Sequence, residues 1–297
     1  MTAIQAPQAV VPAPAEPQHD GGRRRRHPWV LWTALAVAAV VFVYPFVWLV
    51  SASLKPRPEV FDNALVPHHW APENYATIWS AAPVLTWMVN SVIVAVAAAA
   101  AVTVSSAIVA FGFAYFRFPG RNVLFALVVG TMMLPGAVTM IPTYLIWNEL
   151  GLAATQVPLW AANLFGSAFY IFLIRQFFLG VPRELFEAAR VDGAGYWRLF
   201  WRIAVPLCKP ALIVAFVFEL RASWSDLLKP LIYLRDPALF TMPRGMKSIL
   251  DQFGQAGESR WEVVLAGAVL TTVPMIIAFF LCQRYFVEGV ATQGRKG

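Results

Sequence analysis

Charge and cysteine are both scarce in this sequence. Asp, Glu, Lys and Arg make up only 13% of the 297 residues, whereas hydrophobic residues make up 59%. A soluble domain contains about 25% charged residues, so this composition excludes an ordinary soluble globular protein. The two cysteines, Cys208 and Cys282, form no CxxC motif and have no nearby histidine. They therefore predict small buried side chains rather than metal ligands.

Motifs of enzymes and nucleotide-binding proteins are missing as well. The chain contains no GxSxG, no GxGxxG and no GxxxxGK[ST] sequence, so any ATP that drives its function must bind another chain. The four histidines lie outside the apolar segments and show no metal-ligand spacing: His19, His27, His68 and His69. We therefore predict no catalytic residue, no cofactor and no metal site in this chain.

Six apolar segments are long enough to cross a bilayer as helices, which takes about 20 residues each. They lie near 29–51, 84–116, 122–147, 158–179, 209–228 and 262–284. The predicted fold class is an all-α membrane protein, with six transmembrane helices in one domain, 28–297. The first segment is longer than the roughly 7–15 residues of a signal-peptide core, so we expect it to stay uncleaved. Residues 1–27 have almost no large apolar side chains and are predicted to form a disordered cytosolic tail.

The distribution of basic residues predicts the orientation. If all six segments cross the membrane, fifteen Lys and Arg residues lie on the side of the termini and seven on the other side, with Arg221 inside a span. Cytosolic loops carry the excess of Lys and Arg, so both termini are predicted to be cytosolic. The net charge of +7 is then explained by the membrane, and no nucleic-acid partner is expected.

The longest basic segment between spans, 180–208, is predicted to form a cytosolic helix-turn-helix. Residues 183–191 contain no helix breaker, and Asp192-Gly193 is typical of a helix end because glycine adopts positive φ. A second helix is expected over about 195–204, ended by Pro206. On these residues alone, a solvated loop with an ordinary glycine cap is an equally good interpretation.

The same segment carries a pattern of small and charged residues. Ala188 and Ala189 leave a low surface that another protein can approach closely, and Glu187 and Asp192 place charges beside it. The spacing Glu-Ala-Ala-x-x-Asp-Gly-Ala, followed by Ile-x-Val-Pro at 203–206, resembles the EAA loop of bacterial ABC importer permeases. It is similar in particular to the second permease of maltose-type and multiple-sugar importers.

Further residues extend this resemblance from about residue 43 to the end of the chain. Ser-Leu-Lys-Pro at 53–56, Phe-Pro-Gly at 118–120 and the tail from Gln283 are similar to the family's sequences at those places. One departure is Trp224-Ser225-Asp226, where Trp-Asn-Asp is frequent.

The resemblance implies a permease subunit in the bacterial cytoplasmic membrane that does no chemistry itself. Its implied partners are a second permease, two ATP-binding subunits that hold ATP and Mg²⁺, an extracytoplasmic sugar-binding protein and the surrounding membrane lipid. The residues that it places at the ATPase contact are Glu187, Ala188, Ala189, Asp192 and Gly193.

Polar residues near the spans are candidates for the substrate path. A charge at the centre of a span costs about 2.5–3.5 kcal/mol, so such residues need partners, water or an interface. The candidates are Asn90, Glu219, Arg221, Trp224 and Asp226. They either line the path of a sugar or serve the structure, by snorkelling, by bonding neighbouring helices or by pairing with the partner permease.

Two other classes of function compete with this hypothesis. A secondary carrier driven by an ion gradient requires acidic residues near the middle of the membrane, and Glu219 is the candidate. A membrane enzyme, such as a lipid-linked sugar transferase, requires paired carboxylates or a metal site at a membrane face, whereas the acidic residues on the outer side are dispersed.

Overall fold

The computed structural model of the protein describes residues 28–253 and 260–293, and the regular structure within them is helical, without strands. The predicted disordered tail, 1–27, lies outside the described residues. The chain divides into two compact units, of which the first ends at Phe46 and the second begins at Val47. In the first unit the described residues form the beginning of one long helix, and the sites described below lie in the second unit.

Fourteen α-helices follow one another in the described residues. In chain order they are α1 (Pro28–Ser53), α2 (Glu73–Ala81), α3 (Val84–Tyr115), α4 (Arg121–Gly130), α5 (Gly136–Glu149), α6 (Val157–Trp160), α7 (Ala168–Leu179), α8 (Arg183–Val191), α9 (Tyr196–Leu199), α10 (Val205–Leu207), α11 (Lys209–Trp224), α12 (Leu228–Tyr233), α13 (Met242–Phe253) and α14 (Trp261–Gln293). A π-helical turn, Phe200–Ala204, joins α9 to α10.

Three single helices in the described chain are long and apolar enough to cross a membrane. They comprise Trp29–Ser53, Val84–Tyr115 and Trp261–Leu281. Three bent pairs pass the same test together: Arg121–Met133 with Gly136–Glu149, Val157–Phe165 with Ala168–Leu179, and Tyr196–Leu207 with Lys209–Trp224. The described residues therefore provide three spans, or up to six if each bent pair forms one span.

The predicted third span, 122–147, is not one continuous helix. Its two halves meet at an angle of 99°. The break lies at Leu134, whose ψ of 121° is extended, because the ring of Pro135 disfavours helical backbone in the residue before it. The prediction of a single helix here was wrong.

The predicted fourth span, 158–179, is also broken, with a bend of 42°. Gly166 interrupts it with a φ of +79°, which is a left-handed conformation favoured only by glycine. The amide of Ser167 donates to Ser106 Oγ on α3 at 3.1 Å. A side chain of the neighbouring helix thus replaces a bond that the helix loses at its break.

The predicted fifth span, 209–228, ends early. The helix there, α11, has 16 residues and stops at Trp224, and the chain starts a separate helix at Leu228. Sixteen residues rise about 24 Å, which is less than the roughly 30 Å of the hydrocarbon core. The bent pair that passes the length test combines α11 with the preceding segment, 196–207, at 79°.

Helix α3 forms the centre of the second unit and packs against α7 and α11. Its buried face includes six alanines at helical spacing: Ala95, Ala98, Ala99, Ala107, Ala110 and Ala114. Small side chains let the backbones of membrane helices approach closely. Two hydrophobic clusters lie along α3, one towards its start with α13 and α14 and one towards its end with α7 and α8.

The segment after α1 is held by a fully buried lysine. Lys55 Nζ pairs with the carboxylate of Asp62 and donates to the carbonyl of Ala64 at 2.6 Å. The side-chain amide of Asn74 donates to the carbonyls of Ser53 and Lys55 at 3.0 and 2.9 Å. Because a buried ammonium needs several oxygen partners, these bonds fix the loop 54–74 against the start of α2.

Candidate functional site

The C-terminal end of α8 has a complete hydrogen-bonded cap. Gly193, with a φ of +79°, donates its amide to the carbonyl of Arg190 at 3.0 Å, and Ala194 donates to the carbonyl of Ala189 at 2.9 Å. These two bonds define a Schellman motif, which requires left-handed backbone at the residue after the cap. The Asp-Gly-Ala sequence at 192–194 therefore ends α8 sharply.

The residues that the resemblance places at the ATPase contact lie around this cap. Glu187, Ala188, Asp192 and Gly193 are exposed, and Ala189 is half-buried. The ion pairs among the described residues include neither Glu187 nor Asp192. The end of α8 thus presents a small-residue surface with two carboxylates that have no cation within ion-pairing distance in the described chain.

The opposite face of α8 is anchored by one aromatic residue. Phe186 is only 4% exposed and belongs to the cluster at the end of α3. The centroid of its ring lies 5.3 Å from that of Tyr115 and 6.1 Å from that of Phe111. Aromatic pairs at such distances attract one another beyond the effect of burial, so α8 is attached to α3 through this ring.

The segment after the cap is bound to the same cluster. Leu199 and Phe200 are buried, and the ring of Phe200 lies 5.4 Å from that of Phe111. The expectation that Pro206 ends the second helix was wrong, because helical backbone continues to Leu207. Proline has no amide hydrogen and cannot donate the usual helical hydrogen bond. The π turn that precedes Pro206 widens the helix locally and so accommodates the missing bond.

The five candidates for the substrate path are not brought together. The side-chain amide of Asn90 donates to the carbonyls of Ala238 and Phe240, at 2.9 and 3.0 Å. The indole of Trp224 is buried and donates to the carbonyl of Thr271 at 3.3 Å. Both side chains thus have structural partners in the chain.

Glu219 has a partner that is distant in sequence. Asn163 Nδ2 donates to Glu219 Oε1 at 2.6 Å, and the carbonyl of Asn163 accepts from Ser105 Oγ at 2.8 Å. Asn163 lies in the 3₁₀ turn just before the break at Gly166. The carboxylate on α11 is therefore bonded to the irregular turn of the fourth apolar segment, whereas Arg221, two residues further along, is exposed.

Asp226 lies at a different place, in a cavity of about 440 Å³. Its carboxylate is 3.5 Å from Lys229 Nζ, and Thr139 and Thr143 of α5 also line the cavity. The remaining walls are mainly apolar. A cavity with one ion pair and two hydroxyl groups can hold a polar solute.

Sequence reasoning had Asn163 as an amide that can bond a neighbouring helix but named no partner for it, and it missed Phe186. Asn163 lies in an apolar segment, where an amide needs a partner. Phe186 is the one aromatic residue of α8, a helix otherwise rich in charged and small residues. Neither signal identifies the partner, because both partners come from other helices.

Comparison with known proteins gives a family. The family described as "Binding-protein-dependent transport system inner membrane component" matches residues 103–292, which is more than half of the chain. A relative, the probable ABC transporter permease protein YurM of Bacillus subtilis, is 33% identical over 90% of this chain and 88% of its own length.

Two further relatives are named for their solutes. The arabinooligosaccharides transport system permease protein AraQ of Halalkalibacterium halodurans is 32% identical over 91% of this chain and 96% of its own. The sn-glycerol-3-phosphate transport system permease protein UgpE of Yersinia pestis is 34% identical over 86% of this chain and 93% of its own.

Solved structures share the fold. One chain of a bacterial ABC transporter involved in the import of the acidic polysaccharide alginate superposes with a TM-score of 0.76 at 25% identity, over 87% of this chain and 96% of that chain. The protein described here belongs to the family of inner-membrane components of binding-protein-dependent transport systems, and it is a multi-pass permease subunit of an ABC importer.

Proposed function

We propose that this chain forms half of the transmembrane pathway of an ATP-driven importer of a carbohydrate, and that α8 with its cap is the contact for an ATPase subunit. The observation that carries this proposal is the arrangement of α8. Its capped end presents exposed small and acidic residues, while Phe186 fastens its other face to α3.

The proposal takes each bent pair as one span, which gives six spans with both termini in the cytosol. The excess of Lys and Arg on the side of the termini supports this orientation. The turn after α3 and helix α8 belong on the same face, since Arg117 and Arg183 line one cavity.

The packing of α8 supports a mechanical coupling. The rings of Phe186 and Phe200 both contact Phe111 of α3, and Phe178 of α7 belongs to the same cluster. Close-packed clusters transmit displacement rather than absorb it. When ATP closes the ATPase subunits, movement of α8 therefore moves the ends of α3 and α7, which switches the pathway between two states.

The partners in this proposal are a second permease, two ATP-binding subunits and an extracytoplasmic sugar-binding protein. The missing P-loop in the sequence supports ATP binding on other chains, and the family description itself specifies dependence on a binding protein. Relatives named for arabinooligosaccharides and for sn-glycerol-3-phosphate support a polyhydroxylated solute. The cavity at Asp226 is one place in this chain where its hydroxyl groups would find partners.

The test is uptake in cells that express the chain with its partners. The double variant Glu187→Lys/Gly193→Trp should neither support uptake nor capture the ATPase subunit. The amount of this variant in the membrane should equal that of the unaltered chain. Normal uptake by this double variant would refute the coupling role. Uptake that survives depletion of ATP but collapses with the proton gradient would instead establish a secondary carrier.

A further inference from the structure

A basic cavity lies between α8 and the end of α3. It has a volume of about 290 Å³, and its charged lining residues are Arg117, Arg183, Glu187 and Arg190. Arg183 and Arg190 are two helical turns apart and therefore lie on one face of α8, whereas Arg117 comes from the turn after α3. The cavity thus collects three guanidinium groups and one carboxylate from two elements.

The one carboxylate leaves these positive charges in excess. The ion pairs formed in the described part of the chain contain none of the three arginines. The guanidinium of Arg190 lies over the ring of Tyr196, 5.1 Å from its centroid, which orients this side chain at the cavity. Three like charges around one space repel each other, so an anion in the cavity would stabilise the local arrangement.

An apolar cavity adjoins the basic one. It has a volume of about 50 Å³ and shares Tyr115 and Arg183 with the basic cavity. Its other walls are apolar and come from α3, α7 and the start of α8: Phe111, Ala114, Phe178, Leu179, Val181 and Phe186. The site therefore combines a basic cavity with an adjoining apolar cavity, whose walls belong to α3, α7 and the segment that begins α8.

We infer that this cavity binds the phosphodiester headgroup of an anionic phospholipid at the inner surface of the membrane. Arginine binds phosphate oxygens through two parallel hydrogen bonds, and the adjoining apolar wall matches the start of an acyl chain. Basic pockets between spans on the cytosolic side are suited to such headgroups. The location at the inner surface rests on the orientation proposed above.

The consequence is a lipid contact that stabilises α8 independently of the ATPase. A headgroup that bridges Arg117 and Arg183 links the turn after α3 to the beginning of α8. Glu187 of the proposed ATPase contact lines the same cavity, so the headgroup lies beside that contact, and the cap around Gly193 stays free for a protein partner.

Native mass spectrometry of the purified full chain tests the site. The variant Arg117→Gln/Arg183→Gln/Arg190→Gln is compared with Arg198→Gln/Arg202→Gln/Lys209→Gln, which removes the same charge from basic residues that do not line the cavity. Phosphatidylglycerol should bind the unaltered chain and the control alike, and the site variant on the order of 100-fold more weakly, because each basic contact is worth about fivefold. Phosphatidylcholine should not be retained by any of them.

Other outcomes overturn the inference. Equal binding of phosphatidylglycerol by the two triple variants refutes the site. If the chain binds inorganic phosphate and the lipid does not displace it, the cavity is a site for a free anion. If the site variant alone no longer captures the ATPase subunit while its lipid binding is unchanged, the cavity is a protein contact.

Two further measurements keep the result interpretable. If the glutamine variant does not fold, the corresponding triple lysine variant should still lose affinity, because lysine keeps the charge but lacks the planar fork of arginine. Labelling of the Arg198→Cys variant from each side of the membrane tests the orientation by itself. If the cysteine reacts only with reagent added outside, the proposed function and the inner location are both refuted. The lipid measurements test the binding site separately.

Discussion

The side-chain amide of Asn163 donates a hydrogen bond of 2.6 Å to the carboxylate of Glu219. This bond joins the irregular turn of the fourth apolar segment to α11, and Asn163 also reaches the carbonyl of Ala98 on α3 at 3.3 Å. Three elements of the bundle thus meet at one amide. A polar group inside a membrane bundle needs such partners because lipid supplies none.

The first prediction concerns this pair. In a double-mutant cycle with Asn163→Ala and Glu219→Ala, we expect a coupling energy on the order of 1 kcal/mol, since hydrogen bonds between membrane helices contribute about 0.6 and at most about 1.7 kcal/mol. Unfolding in mixed micelles measures it. The control cycle pairs Glu219→Ala with Asn90→Ala, whose partners lie elsewhere, and it should be additive. Additivity in both cycles would show that the pair contributes nothing.

The second prediction concerns the anchor of α8. Phe186→Ala removes a buried ring from an aromatic cluster, and such substitutions cost about 3–5 kcal/mol. We expect ATP hydrolysis to continue without uptake, because α8 no longer moves α3. The ratio of solute transported to ATP hydrolysed is the measurement. Leu185→Ala is the control, since Leu185 is exposed on the same helix and should leave the ratio unchanged. A normal ratio in Phe186→Ala would refute coupling through this ring.

The third prediction concerns the cap. Gly193 has a φ of +79°, so Gly193→Ala places an alanine in left-handed backbone at a cost of about 1–2 kcal/mol. Weaker binding of the ATPase subunit, by roughly tenfold, should follow from the distorted end of α8. Gly195→Ala is the matched control, because Gly195 has a φ of −71° and nothing within 4 Å of an added Cβ. If both variants bind equally, the cap does not shape the contact.

The fourth prediction concerns pH and the loop after α1. The hydrogen bond from Lys55 lowers the pKa of the Asp62 carboxyl below its ordinary value of 3.8. A lowered pKa in the folded state stabilises the fold above the ordinary pKa and stops doing so as the pH falls through the lowered value. We therefore expect the contribution of the Lys55–Asp62 pair to amide protection of residues 54–74 to be constant from pH 7 to about 4 and to fall below that.

Hydrogen exchange followed by mass spectrometry measures this protection. In Asp62→Asn, the fall in protection below about pH 4 should disappear, because the amide side chain carries no charge that acid can remove. Lys55→Met should weaken protection at every pH, since it removes the donor that also binds the carbonyl of Ala64. An unchanged acid response in Asp62→Asn would assign the effect to another group.

Local features of this fold were accessible from the sequence. The ends of α3 lie within one residue of the predicted segment, 84–116, because a run of apolar residues is enough to define a buried helix in lipid. The glycine at 193 was assigned positive φ for the same kind of reason, since a helix end depends on its own neighbours. The breaks at Leu134 and Gly166 also have local causes, but hydropathy averages over about 20 residues and does not detect them.

The sequence by itself determined that this is a helical membrane protein, where its three longest helices run, and that α8 ends at an Asp-Gly turn. Those properties follow from contacts of a residue with lipid or with its chain neighbours. The tertiary structure decided that Glu219 pairs with Asn163, that Phe186 joins α8 to α3, and that three arginines surround one cavity. Such partners are 56 residues apart in the first case, and only helix packing brings them within bonding distance.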